Sequence, residues 1–342
     1  MEIVAGLSLK NLEPRVWDEQ SPYYLPNLRA VMVSYGEFHQ MPARRRQAKK
    51  QGLHKYLNVP NHVRVFLDNG AFYFLRQGSK TDRRAYCDFV RRAAPNWYPI
   101  PFDSIPTPQM TRRQQRKCYC DTMAVNRAYH YDGYVPVMHV SRLLDKYIEA
   151  FQTGKSLTKK SGLALGGMVP NLLRSPNAIS YADVLATLKK VRQEFSDKEL
   201  HVFGIGGTAT LHLAALLGMD SVDSSGWRNR AARGIIQLPG SGDRMIAKFG
   251  SWRGRVPSRE ERKVLEKCQC PACEQDGLAG LKKDGLAGFC NRATHNLFIL
   301  LEEAKWIDNH LQDKTYKRAY KKRLNNSAYL RLIEMALAIR ET

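Results

Sequence analysis

Short apolar runs alternate along this chain with longer polar stretches whose apolar residues recur at helical spacing. The runs fall at residues 2–9, 30–35, 63–68, 98–103, 134–140, 163–167, 200–204 and 221–223. They are rich in β-branched and aromatic residues, and turn-forming residues follow most of them, so they are predicted strands. Residues 81–94, 111–129, 141–151, 178–195 and 208–217 are predicted helices. In 178–195, Ile179, Val184, Leu185, Leu188, Val191 and Phe195 share one face. Strand and helix in alternation predict a parallel sheet. Eight strands predict an α/β fold of the (β/α)8 TIM-barrel type, with a doubly wound open sheet as the alternative.

The alternation stops near Gly234. Residues 268–295 are rich in cysteine and glycine, and Asp276-Gly277-Leu278-Ala279-Gly280 recurs as Asp284-Gly285-Leu286-Ala287-Gly288. Two copies are too few for a repeat architecture, and this stretch is predicted to be a hairpin or loop. Helices are predicted at 296–309 and 317–339. The chain is therefore expected to divide into a barrel, 1–250, and a metal-binding subdomain with C-terminal basic helices, 251–342.

No run of 18 apolar residues occurs, and no basic region precedes the short apolar start. A membrane span and an export signal are not expected. Seven cysteines, an odd number, do not suggest a disulfide framework. The expected compartment is the cytoplasm.

Charge changes the picture more. Lys plus Arg is 54 against 32 for Asp plus Glu, a net +22 over 342 residues. Such an excess favours a polyanionic partner, nucleic acid first. The basic runs are 44–50, 112–117 and 317–323.

Cys268-Gln269-Cys270-Pro271-Ala272-Cys273 packs three thiols into six residues, with His295 downstream. Three thiolates and an imidazole make a closed tetrahedral zinc site, which holds structure and leaves no open position for chemistry. Cys290 is a rival fourth ligand.

Three predicted strands end in carboxylates: Asp68, Asp103 and Asp223. In a barrel all three would face one mouth. Paired carboxylates serve glycosyl chemistry as nucleophile and as acid and base. Gly166-Gly167-Met168 and Gly204-Ile205-Gly206-Gly207 follow other strands and would let a ligand approach the backbone. Their spacing is not that of a dinucleotide fingerprint.

Together these residues resemble the guanine transglycosylase superfamily. Asp68-Asn69-Gly70-Ala71-Phe72 is similar to its Asp-Ser-Gly-Gly-Phe, whose Asp is the general acid/base. Phe102-Asp103 resembles its purine-reading Phe-Asp. His139 falls where a base-reading Gln is usual, and Leu165-Gly166-Gly167 resembles its Ile-Gly-Gly. Gly218-Met219-Asp220-Ser221-Val222-Asp223 resembles the Gly-Ile-Asp-x-x-Asp that ends in the nucleophile. Cys268, Cys270, Cys273 and His295-Asn296-Leu297 resemble its zinc signature.

The resemblance implies a base exchange in which Asp223 is the nucleophile and Asp68 the general acid/base. Asp103, His139, Gly166, Gly167 and Met168 would hold the base, and a structural Zn2+ would sit on Cys268, Cys270, Cys273 and His295. Asn69, Ala71, His139 and Ser224–Arg230 depart from the common pattern. They look more like the branch that inserts a 7-deazaguanine into DNA. The expected partners are then double-stranded DNA with a flipped base and a free 7-deazaguanine. Trp227 is expected to wedge or stack, and Arg228 and Arg230 to meet phosphate. A tRNA-modifying enzyme and a non-catalytic zinc-containing nucleic-acid binder are the alternatives. A homodimer is left open.

Overall fold

The structure is a computed structural model that describes residues 1–131, 133–172, 176–251, 253–325 and 327–341. All eight predicted strands are present. They are β1 (Glu2–Gly6), β2 (Ala30–Ser34), β3 (Arg64–Asp68), β4 (Tyr98–Pro99), β5 (Tyr134–Val135) with β6 (Val137–His139), β7 (Gly162–Gly166), β8 (Glu199–Val202) and β9 (Ser221–Ser224). Pro136 separates β5 from β6, because a proline cannot donate to the ladder.

Seven strands form one parallel sheet in the order β3-β2-β1-β9-β8-β7-β6, and β4 and β5 form a second parallel pair. That pair fills the gap between the sheet's two ends. Leu67 N donates to Trp97 O at 2.9 Å and Asn96 N to Val65 O at 2.8 Å on the β3 side, Ile100 N donates to Val135 O at 3.0 Å within the pair, and β5 runs on through Pro136 into β6. The circuit is thereby complete, as an eight-position barrel requires.

Strand alternation sorts the side chains. Ile3, Val31, Val65, Leu200 and Val222 point outward into the large core shared with the helices. Val4, Ala30, Met32 and Phe66 point inward, with Trp97 and Phe203 against them. Phe66 and Trp97 stack with ring centroids 4.9 Å apart, which fills the barrel floor. Asp68 and Asp223 continue the inward series at the C-terminal ends of β3 and β9. Their position at the mouth is thus a consequence of period-two alternation.

Beyond the barrel the structure departs from two expectations. Residues 268–295 are not a hairpin or loop: helices Pro271–Lys282 and Gly285–Gln312 occupy them. Gly280 and Gly288 sit where a side chain would collide with its neighbours, while Gly277 and Gly285 take positive φ at a kink and at a helix start. A Cβ on Gly288 would lie 1.8 Å from Lys283 O. Asp284 caps the second helix by accepting from Gly285 N at 2.8 Å. The single helix expected at 317–339 is instead two, Tyr316–Arg323 and Leu330–Glu341. After β9 come helix Gly226–Ala232 and an antiparallel hairpin, β10 (Ile235–Leu238) and β11 (Gly242–Met245). Among the described residues, no helix is long and apolar enough to cross a membrane.

Candidate active site

Asp68 ends β3 in register with Ser34 of β2. Its Oδ2 accepts from Ser34 Oγ at 2.8 Å and from Gly70 N at 3.0 Å. The second bond needs the tight turn that Gly70 makes at φ +81°, where a Cβ would fall 2.7 Å from Gly36 N. Burial lifts the Asp68 carboxyl from its usual 3.8 to about 6. The Ser34 bond opposes that rise, while the charges of Asp223 and Asp103 add to it.

Asp103 is buried beside it. Asn69 Nδ2 donates to its Oδ1 at 2.7 Å, and His139 Nε2 lies 2.8 Å from its Oδ2. Asn69 also donates to Ile100 O at 2.9 Å and accepts from Ala71 N at 2.9 Å. His139 is fully buried, and its Nδ1 lies 3.1 Å from Tyr147 Oη. Both ring nitrogens of His139 are therefore engaged inside the protein. Gly166 pairs with His139 in register across β6 and β7. Gly167 follows at φ +77°, and Met168, buried, opens the helix Met168–Leu172.

Asp223 stands across the mouth on β9, in register with Val4 of β1. Its Oδ1 accepts from Gly204 N at 2.8 Å. Gly204 begins the glycine-rich turn after β8, so that turn anchors the carboxylate. Asp223 also borders a groove of about 820 Å3. Arg230, Arg233, Arg253 and Arg255 line the groove with the glycine-rich turn. Arg230 leans on Asp243 through Nε at 2.7 Å.

Two expected nucleic-acid contacts are corrected. Trp227 is fully buried in the main core. Arg228 is buried too, donating to Glu13 O at 2.6 Å and Asn11 O at 2.5 Å. A side chain enclosed on all sides cannot stack on a flipped base or meet a phosphate. Arg230 is the one of the three that faces the groove.

The cysteine cluster assembles as expected. His295 Nδ1 lies 3.4 Å from Cys268 Sγ, 3.7 Å from Cys270 Sγ and 3.4 Å from Cys273 Sγ. A tetrahedral zinc with ordinary bond lengths would set each N···S edge at about 3.6 Å. The cluster therefore fits a metal ion without rearrangement. His295 Nε2 lies 2.9 Å from Gln237 O, which fixes Nδ1 as the inward atom. Cys290 is not in the set; it is buried elsewhere, and burial raises its thiol to about 11.

The helix that carries His295 reaches the segment that follows Asp223. Asn296 donates to Trp227 O and to Ile235 O, both at 3.1 Å, and accepts from Gln237 N at 2.7 Å. Arg292 Nε donates to Ala231 O at 2.8 Å. The segment after Asp223 is thus stapled to the cysteine cluster.

Residues 142–329, more than half of the chain, match the family model described as queuine tRNA-ribosyltransferase. The chain belongs to this family. The match includes Asp223 and the four cluster residues, while Asp68, Asp103 and His139 precede it. The tRNA-guanine(15) transglycosylase of Pyrococcus abyssi is 24% identical over 314 residues, 85% of this chain and 48% of the relative. The chain spans about half the length of that curated relative. Within the queuine tRNA-ribosyltransferase family this chain has features that the sequence reading did not single out. Ser34 and Tyr147 hold site residues, and His201 lies beneath Asp223. Phe72 and Leu75, on the helix Ala71–Arg76 that follows Asp68, are exposed.

Proposed function

We propose that the protein is a base-exchange transglycosylase that replaces guanine in DNA with a 7-deazaguanine derivative. The observation that carries the reading is one barrel mouth holding an anchored Asp223 and a desolvated Asp68. The two carboxyls have been given different environments, as acid and nucleophile require.

In this reading a lone pair of Asp223 forms a bond to the anomeric carbon of the target nucleoside. The carbon–nitrogen bond breaks, and its electron pair leaves with guanine, which takes a proton from Asp68. Asp68, now ionised, removes a proton from the incoming base. That base's nitrogen attacks the same carbon, and the ester oxygen returns to Asp223 as carboxylate. Two displacements retain configuration. Asp103 accepts from the purine's amide and amino groups, using lone pairs that Asn69 and His139 leave free. Gly166, Gly167 and Met168 line the same side. His139 acts through Asp103 and not on the base itself.

The metal residues Cys268, Cys270, Cys273 and His295 would hold zinc, chosen from the thiolate and imidazole donor set and the tetrahedral edges. When bound it supplies rigidity.

DNA as the polymer is supported by the rim. Arg230, Arg233, Arg253 and Arg255 lie on one flank of the mouth, and exposed Arg112, Arg113 and Arg116 open the helix that follows the β4 segment. Phe72 and Leu75 offer an apolar surface beside Asp68, the kind of surface that props open a base step. The tRNA reading is favoured by the family description and by the name of the Pyrococcus relative. Purified protein given radiolabelled guanine with DNA of varied sequence, or with tRNA, separates the two. Label in DNA supports the reading, and label in tRNA alone overturns it.

A further inference from the structure

We infer that His201 is a positioning residue for Asp223, committing that carboxylate to attack through Oδ2. The inference rests on the transglycosylase reading for its chemistry, but its geometry stands alone. His201 lies on β8 in register with Ser221 of β9 and points into the barrel. It is 2% exposed. Trp97 and Phe203 stand 4.9 Å away by ring centroids, and Phe66 6.0 Å. Three aromatic rings fix the imidazole in place and keep water from it.

Its two nitrogens have different fates. Nδ1 lies 2.9 Å from Ser221 Oγ. Nε2 is buried and, among the described residues, makes no hydrogen bond. The atom it faces is Asp223 Oδ1, at 3.4 Å. A buried ring nitrogen without a partner is costly, so it has to be explained. With the Ser221 hydroxyl donating to Nδ1, the ring proton sits on Nε2, on the side of Asp223 but at an angle short of a hydrogen bond. A small shift and rotation of the ring toward Oδ1 completes that bond.

Asp223 Oδ1 then has two donors, the Gly204 amide and His201. Among the described residues no hydrogen bond ends on Oδ2, which keeps its lone pairs for the substrate. Oδ2 forms the bond to the anomeric carbon, and the carbon–nitrogen pair leaves with the protonated base. Oδ1 becomes the ester carbonyl, still held by both donors. In the second displacement the ester electrons return to a carboxylate that the same donors stabilise. A histidine in an otherwise apolar strand, Leu200-His201-Val202-Phe203, thereby has a use that packing alone does not give it.

The test compares His201→Leu with His201→Gln, whose side-chain amide can reach the position of Nε2. Guanine exchange is followed with DNA and with tRNA, whichever the wild type uses. His201→Leu is expected to lower kcat by about 10-fold or more, with KM near wild type, as loss of a preorganised donor does. His201→Gln is expected to recover most of that loss. Equal damage in both variants, or a wild-type kcat in His201→Leu, overturns the inference. Nitrogen-15 NMR of the histidine rings is the arm that needs no turnover. The His201 signals, assigned by their loss in His201→Gln, are expected to show the proton on Nε2 and to move in Asp223→Asn. A proton on Nδ1, or signals indifferent to Asp223→Asn, overturns it. A wild type that exchanges no guanine with either polymer would overturn the transglycosylase reading, and the NMR result would still decide the contact.

Discussion

His139 Nε2 lies 2.8 Å from Asp103 Oδ2, while Asn69 Nδ2 lies 2.7 Å from the other oxygen of the same carboxylate. The two residues that replace the family's Ser and Gln thus converge on one acidic side chain. A carboxylate gripped from both sides presents its remaining lone pairs in a fixed direction, which is what recognition of a flat base requires. Asn69→Ala and His139→Phe are each expected to weaken binding of the free base by about 1–3 kcal/mol, since each frees a buried carboxylate oxygen. Calorimetry with 7-cyano-7-deazaguanine measures this. His139→Gln, which can still donate to Asp103, should lose less.

The raised Asp68 carboxyl sets a pH dependence. In the proposed mechanism the first displacement needs Asp68 protonated, so kcat/KM is expected to fall as pH rises through about 6. Ser34→Ala removes the bond that favours the ionised form, and its limb is expected at higher pH. The stability sign is the reverse of a salt bridge. The folded protein favours the protonated acid, a contribution present below about 4 and lost as pH rises through about 6. Asp68→Asn should slow exchange by about 10²–10⁴-fold and yet raise stability above pH 6, by up to about 3 kcal/mol. Thermal melts at pH 5 and pH 8 give the comparison.

Zinc is expected at one atom per chain by elemental analysis of freshly purified protein. Cys273→Ser should lose it and lower the melting temperature. Asn296→Ala should keep the metal but still slow exchange, because its bonds to Trp227 O and Ile235 O support the segment after Asp223. An Asn296→Ala protein with unchanged activity would mean that the helix carrying His295 does not support Asp223.

Arg230 and Trp227 separate groove from core. Arg230→Ala is expected to weaken polymer binding and to reduce the salt slope by about 1, as loss of one phosphate contact does. Trp227→Ala, which empties a buried site, is expected to cost about 3–5 kcal/mol of stability. Trp227→Phe should leave polymer affinity near wild type. Fluorescence anisotropy at several salt concentrations checks both.

The barrel was legible because alternation and length are local signals. Each strand run was found, and the period of two places Asp68 and Asp223 at one mouth, while Asp103 lies in the loop beyond β4. Cys268, Cys270 and Cys273 announced themselves by spacing, and the structure chose His295 over Cys290. What stayed hidden depends on partners distant in the chain. Nothing near Trp227 reveals that Asn296 and the main core enclose it, so in sequence an aromatic shortly after Asp223 reads as a wedge. Gly280 and Gly288 suggested a loop because sequence does not show which helix presses against them. His139 looked like a base reader until Tyr147 and Asp103 were seen to take both its nitrogens. His201 carried no signal beyond being polar in an apolar run.

The most direct test of the account is exchange of radiolabelled guanine by wild type and by Asp223→Asn, both shown to be folded and to bind polymer equally. The account predicts incorporation by the wild type and none by Asp223→Asn, since an amide cannot form the glycosyl ester. Incorporation by Asp223→Asn at near the wild-type rate would contradict it.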